Sequence, residues 1–207
     1  MRRKTITGLA SAILACGLAV TAFFVAWNNG LRDRLIPKKW GIVVENQIYR
    51  SGRIHPALME NTLRRYGIKA IVNLCGKDEH ATPEEDAAAK LGIEITYIPM
   101  KGDGTADAAR YAAAVTTIVE MRKAGKPVLV HCAAGAQRTG GVVAVYRLLV
   151  EHAPPADVLK EMKRYGWHPG ENDDRLLRFI NDNLAGIAQI LVDHAAIPTA
   201  PSPLPVL

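Results

Sequence analysis

The sequence predicts an α/β fold: a central, mainly parallel sheet flanked by helices and preceded by one transmembrane helix. Three observations carry this. Between residues 41 and 195, short apolar runs rich in β-branched residues alternate with longer helical patterns, the order that places parallel strands beneath crossover helices. Gly and Pro stand at the joints between these runs, where they end or start regular structure. Ahead of all this, residues 6–27 hold no charged side chain.

Residues 1–5 form a basic N-terminus with Arg2, Arg3 and Lys4. The uncharged run 6–27 is long enough as a helix to cross a hydrocarbon core of roughly 30 Å, and Trp27 stands where an interfacial aromatic belongs. A cleaved signal peptide, processed near Val20-Thr21-Ala22, is the competing reading; apolar residues continuing past that point favour the anchor. Cys16 follows Ile13-Leu14-Ala15, a poor lipidation context, and reads as a membrane residue. The flanks are nearly balanced in Lys and Arg, with Arg32, Arg34, Lys38 and Lys39 on the far side, so positive charge does not orient the span. Residues 28–40 read as a juxtamembrane linker.

The folded domain is expected over 41–195. Ile42–Tyr49 predicts a hairpin turning at Glu45-Asn46, and Pro56–Tyr66 a helix closed by Gly67. Ala70–Leu74 is a buried strand by its apolar run. Thr82-Pro83-Glu84-Glu85 predicts a helix start, with Thr82 as cap, Pro83 at the first helical position and Glu85 completing a capping box. Strand Ile93–Met100, helix Ala106–Ala124 and strand Pro127–His131 follow, then helices over Arg138–His152, Pro155–Tyr165 and Asn172–His194. The proline-rich tail 196–207 is expected to be disordered.

Apolar residues make up 49% of the chain and charged ones 22%, enough for a packed core and too little charge for global disorder. The net charge of +6 suits an anionic substrate or an anionic lipid surface. No basic stripe with interleaved aromatics is present, which argues against nucleic acid. Three widely spaced cysteines, Cys16, Cys75 and Cys132, fit neither a disulfide framework nor a metal cluster.

The chemistry is concentrated in His131-Cys132-Ala133-Ala134-Gly135-Ala136-Gln137-Arg138-Thr139-Gly140, between a buried strand and a helix. That is the carboxyl end of a strand, where open α/β sheets bind ligands. A loop this short must curl, and Gly135 eases the turn. The backbone N–H groups of 133–137 can then point inward as an anion-binding nest, with the next helix adding its positive end. Such a setting, with Arg138 nearby, favours a thiolate at Cys132 and so a nucleophile at neutral pH. Arg138 offers a planar fork for two phosphate oxygens. A buried, inert strand-end cysteine is the bland alternative; the company of Gly135, Arg138, Thr139 and Gly140 tells against it.

This segment resembles the signature loop of the protein-tyrosine and dual-specificity phosphatase superfamily: His-Cys, five residues, Arg, then Ser or Thr. Val143-Ala144-Val145-Tyr146-Arg147 is similar to its dual-specificity branch, and Tyr49-Arg50-Ser51-Gly52 to an early motif of compact bacterial and fungal members. The resemblance implies the cysteine-phosphatase fold and a two-step reaction through a phosphocysteine. In it Cys132 attacks phosphorus, Arg138 and the N–H groups of 133–137 bind the phosphate, His131 tunes the cysteine, and Thr139 helps the thiolate leave. It implies no metal and no cofactor.

The resemblance also requires a general acid about thirty residues before the cysteine. Asp103 lies twenty-nine before it, after a strand, between Gly102 and Gly104, in a loop expected to be mobile. Asp107 is the alternative, and the family's usual Trp-Pro-Asp form is absent. Trp167-His168-Pro169 lies after the cysteine and is not that motif. Cys75, in Asn73-Leu74-Cys75, is similar to a second cysteine of lipid-phosphatase relatives that forms a disulfide with the nucleophile.

Lipid-phosphatase relatives typically carry lysines inside the loop, where this chain has Ala133, Ala134, Ala136 and Gln137. The expected substrate is therefore a phosphoprotein, phosphotyrosine above all, with phosphoserine or phosphothreonine next. Lys101 keeps a phosphoinositide or inositol phosphate reading open. Two other classes compete: an inactive phosphopeptide-binding module, and a rhodanese-type sulfur transferase, which the Cys-to-Arg spacing disfavours. An oxidising compartment would threaten a reactive thiolate beside Cys75, which tilts the catalytic domain toward the cytoplasmic side.

Overall fold

The computed structural model describes residues 16–77, 81–168 and 174–207. They divide into two units, one ending at Ile36 and one running from Pro37 to Leu207. In the first, residues 16–26 are helical with exposed Leu18, Val20, Phe23 and Phe24. Helical structure continues through Trp27–Leu31 and Arg32–Leu35, with a kink where Gly30 takes φ +106°. The segment read as a linker is thus helical to Leu35. Among the described residues no helix is long and apolar enough to cross a membrane. Residues 6–15 of the expected span lie outside the described residues, so the apolar part in view is too short to span by itself.

In the second unit, β1 (Gly41–Val44) and β2 (Ile48–Ser51) form the expected hairpin. Then come α1 (Pro56–Arg65), β3 (Ala70–Asn73), α2 (Thr82–Leu91), β4 (Glu94–Tyr97), α3 (Ala108–Lys123) and β5 (Val128–His131). Helices α4 (Gln137–Leu149), α5 (Pro155–Arg164) and α6 (Asp174–Asp193) complete it. Asn172, the expected start of the last helix, lies outside the described residues.

The five strands lie in the order β1-β2-β5-β3-β4. Only the β1–β2 pair is antiparallel. The sheet is covered on both faces, as a parallel sheet requires. Period-two alternation divides its side chains: Ile48, Val72 and Val130 join the α3, α4 and α6 side, while Tyr49, Ile71 and Leu129 join the α1 and α2 side. Central β5 is buried along its length, and its register sets Ser51, His131 and Asn73 in one row at the carboxyl edge.

Two details differ from expectation. Thr82 does not cap α2: Ala81 is the cap position, with no side-chain hydrogen bond, and Thr82 opens the helix itself. The first-turn carboxylate of Glu84 points inward to a buried partner instead of solvating the helix end. The tail 196–207 is not a solvated strand of prolines. Ala196 and Ile197 are buried, Leu204 and Leu207 pack against the core, and the Asn181 amide pairs with Leu207 through N–H and C=O, each at 2.9 Å. Its scattered apolar residues find cover on α6, which composition alone did not reveal.

Candidate active site

The site sits on the row Ser51–His131–Asn73. Cys132 follows β5 directly and is 1% exposed. Gly135 turns the loop at φ +75°, a conformation that suits Gly, and a Cβ there would come 2.5 Å from Gly52 N. The Gly135 N–H donates to Cys132 Sγ at 3.1 Å. Burial by itself pushes the Cys132 thiol up; the Thr139 hydroxyl and N–H, the Gly135 N–H and the Arg138 charge overcome it, and the thiol ends below its ordinary value. Two backbone N–H groups, those of Gly135 and Thr139, thus face the sulfur, a setting that favours a thiolate.

Arg138, in the first turn of α4, donates from Nη1 to the Leu74 carbonyl at 3.4 Å, just past the end of β3. Thr139 is fully buried, its Oγ1 3.4 Å from the Ser51 carbonyl. Arg53 N–H donates to Ala133 O at 3.1 Å, and a Cβ on Gly52 would meet the Ala133 and Ala134 backbone at 3.1 Å. Gly52, at the end of that early motif, and Arg53 therefore pack directly against the loop backbone.

His131 is buried behind the cysteine, its Nε2 2.7 Å from Glu84 Oε1. The other Glu84 oxygen accepts from Asn73 Nδ2 at 2.7 Å, and Asn73 Oδ1 accepts from Cys75 N–H at 2.8 Å. Burial disfavours charge on both partners, yet the pairing prevails: His131 is held up and Glu84 down. Glu84 was not identified from the sequence, because a glutamate after Thr-Pro is what any helix start looks like.

Asp103 and Asp107 part company here. Asp107 caps α3, its Oδ1 accepting from Arg110 N–H at 2.7 Å. Asp103 lies in the preceding loop, its Oδ1 accepting from Thr105 N–H at 2.9 Å and Thr105 Oγ1 at 2.8 Å. These bonds, led by the N–H, with Lys101 and Arg175 nearby, hold its carboxyl below the usual range. A Cβ on Gly104 would lie 2.9 Å from Leu176 Cδ1 and 3.2 Å from the Gln137 backbone, which places the Asp103 loop against the start of α4.

Cys75 is half-buried and reduced. Burial pushes its thiol up against the pull of Arg138, and it is within electrostatic reach of Cys132, with its sulfur at the Ala133 backbone. Trp167 is a core residue, 1% exposed, and Pro169 lies outside the described residues. Among the described residues no cluster of His, Cys, Asp or Glu is arranged to hold a metal ion.

Residues 47–153, just over half of the chain, match the family described as polymorphic toxin system, DSP-PTPase phosphatase. The dual specificity protein phosphatase TpbA of Pseudomonas aeruginosa is 29% identical over 115 residues, 54% of this chain and 47% of TpbA. The dual specificity protein phosphatase OPG106 of vaccinia virus is 34% identical over 79 residues, 38% of this chain and 42% of that protein. The chain thus spans under half the length of either relative. Among solved structures, the catalytic core of the PP-IP phosphatase SIW14 from S. cerevisiae superposes with a TM-score of 0.62 at 19% identity, over 79% of this chain and 97% of that one. That likeness shows a shared fold.

Proposed function

The chain belongs to the DSP-PTPase phosphatase family, and from that premise we propose that it hydrolyses phosphomonoesters through a phosphocysteine, with phosphotyrosine on proteins as the preferred substrate. The observation that carries this is the buried Cys132 with the Gly135 N–H on its sulfur and the Arg138 charge nearby, which together favour a thiolate.

In the first step the Cys132 thiolate attacks phosphorus and the S–P bond forms as the P–O bond to the leaving group breaks. Arg138 and the loop N–H groups stabilise the equatorial oxygens. Asp103 gives its proton to the departing oxygen. In the second step the Asp103 carboxylate takes a proton from water, whose oxygen attacks phosphorus; the S–P bond breaks, and Thr139 stabilises the returning thiolate. The His131–Glu84 pair fixes the strand end that presents the sulfur.

The loop's uncharged Ala133, Ala134, Ala136 and Gln137 match a single phosphate better than a polyanion. TpbA, a relative, has been crystallised with pTyr. A second reading, an inositol phosphate or phosphoinositide substrate, rests on Lys101 and Arg175 beside Asp103 and Arg53 beside Cys75; SIW14 is named a PP-IP phosphatase. We further propose that run 6–27 tethers the enzyme to a membrane, with the catalytic unit on the reducing, cytoplasmic side.

The test is turnover of p-nitrophenyl phosphate, phosphopeptides and phosphoinositides by the purified full chain in EDTA, beside Cys132→Ser. Turnover lost in the variant, and fastest on phosphotyrosine, supports the proposal. Fastest turnover on inositol phosphates moves it to the second reading. Phosphopeptide binding without turnover makes the chain a binding module instead.

A further inference from the structure

Arg50 is charged, fully buried, and not needed by the reaction just described. It stands on β2 beside Val130 of β5, on the same face as apolar Ile48. Burying a guanidinium is costly unless something offsets it. Three contacts do so here. Arg50 Nη2 donates to the Gly135 carbonyl at 3.1 Å. Its Cζ lies 3.9 Å above the Tyr165 ring centroid. Its Nη1 is 3.6 Å from Glu161 Oε1, and Glu161 in turn accepts from Arg147 Nε at 2.9 Å. Gly140 passes close by; a Cβ there would be 3.8 Å from Nη2.

Gly135 is thus held on both sides. Its N–H points at Cys132 Sγ and its carbonyl points back at Arg50. A carbonyl turned toward the phosphate would repel it, so the direction of this group decides whether the loop binds anions. We propose that Arg50 is a positioning residue for the phosphate-binding loop: it draws the Gly135 carbonyl into the core and so holds the Gly135 N–H on the Cys132 sulfur. The inference rests on the phosphatase reading for its kinetic readout alone.

The charged and titratable groups around Cys132 are His131 on β5, Arg138 on α4, Cys75 after β3, Tyr111 on α3 and Arg50 on β2. Arg50 itself faces Glu161 and Tyr165 of the α5 segment. Burial lowers Arg50 to about 10, against the pull of Glu161, Tyr165 and Cys132. It therefore stays charged across the range in which the thiol titrates.

The experiment is the pH dependence of Cys132 alkylation by iodoacetamide in the full chain, read on the Cys132 peptide by mass spectrometry, with kcat/KM against pH on p-nitrophenyl phosphate beside it. Arg50→Met should move the alkylation midpoint up by about one pH unit, and the limb of kcat/KM that reports Cys132 should move with it. Arg50→Lys, which keeps the charge, should recover half or more of that shift. Glu161→Gln leaves the Arg50 charge less offset and should move the midpoint down. An unchanged midpoint in a folded Arg50→Met, or a lysine no better than methionine, overturns the proposal. If Arg50→Met loses the native fluorescence of buried Trp167, Glu161→Gln decides, and an unmoved midpoint there sinks the idea. A lowered midpoint in the wild type without turnover would instead count against the phosphatase reading and leave this inference standing.

Discussion

The Tyr111 hydroxyl donates to the Gly104 carbonyl at 2.7 Å, tying α3 to the residue next to Asp103. Tyr111 is fully buried, and a Cβ on Gly141 of α4 would lie 2.3 Å from its oxygen. One phenol therefore links the loop bearing the proposed acid to the helix that carries Arg138. Burial pushes the phenol far up, so it donates at every working pH. Tyr111→Phe removes this bond, which is worth about 1 kcal/mol. We expect kcat to fall about fivefold on alkyl or tyrosyl phosphates, where protonation of the leaving oxygen matters. An activated aryl phosphate should be nearly unaffected. A uniform loss across leaving groups would show that Tyr111 acts through folding alone.

The two aspartates give a direct contrast. Asp103→Asn should lower kcat on phosphotyrosine by about a hundredfold or more, the usual worth of a general acid. Asp107→Asn should leave kcat within about twofold, since asparagine also caps helices well. The reverse ranking would reassign the acid. The pH profile adds a sign. Activity needs Cys132 ionised and Asp103 protonated, so each group controls one limb of the profile. Thr105 holds that group down through its N–H and, less, its hydroxyl. Thr105→Val removes the hydroxyl, so the limb that reports Asp103 should move to higher pH while the limb that reports Cys132 stays.

Much of this was legible in the residues. The His131–Gly140 segment announced a strand, a curled loop and a helix because each needs its own residue types. The Asp103 assignment came from spacing after a strand, and the structure places that loop against Gln137. What stayed hidden was long-range pairing. Glu84 and His131 lie far apart in sequence, and nothing local distinguishes a glutamate that solvates a helix start from one aimed at a buried imidazole. Tyr111 sits in an alanine-rich helix whose pattern says only that one face is buried. Arg50 belonged to a recognised motif, but its contact to Gly135 spans 85 residues of sequence. Glycines flanking Asp103 suggested mobility; the close approach of Leu176 and Gln137 explains Gly104 equally well.

The His131–Glu84 pair makes stability depend on pH at both ends. His131 is raised, so its contribution is full below the unfolded value of about 6.5 and is lost as pH rises through the folded value. Glu84 is lowered, so its contribution is present above about 4.3 and is lost as pH falls through its folded value. Glu84→Gln should cost about 3 kcal/mol near neutral pH, because it breaks a buried pair. It should also flatten the profile, which thermal melts across pH followed by tryptophan fluorescence would reveal. A variant as stable as the wild type, with an unchanged profile, would remove the pair from the account.

Cys75 offers the last contrast. Its sulfur lies at the Ala133 backbone, within electrostatic reach of Cys132, and both thiols are reduced. Peroxide should oxidise the lower-pKa thiol first, converting the Cys132 thiolate to a sulfenic acid with loss of hydroxide from the peroxide. The Cys75 thiol then attacks that sulfur, an S–S bond forms and water leaves. Because burial holds the Cys75 thiol up, this second step should quicken as pH rises. Peroxide-treated protein should weigh about 2 Da less than reduced protein, one disulfide's worth of hydrogen, and dithiothreitol should restore activity. Cys75→Ser should have near-normal activity before treatment. After it, the variant should accumulate sulfinic acid on Cys132 and fail to recover, because nothing traps the sulfenic acid. Equal recovery of the two proteins, with no linked Cys75–Cys132 peptide, would leave Cys75 as a packing residue.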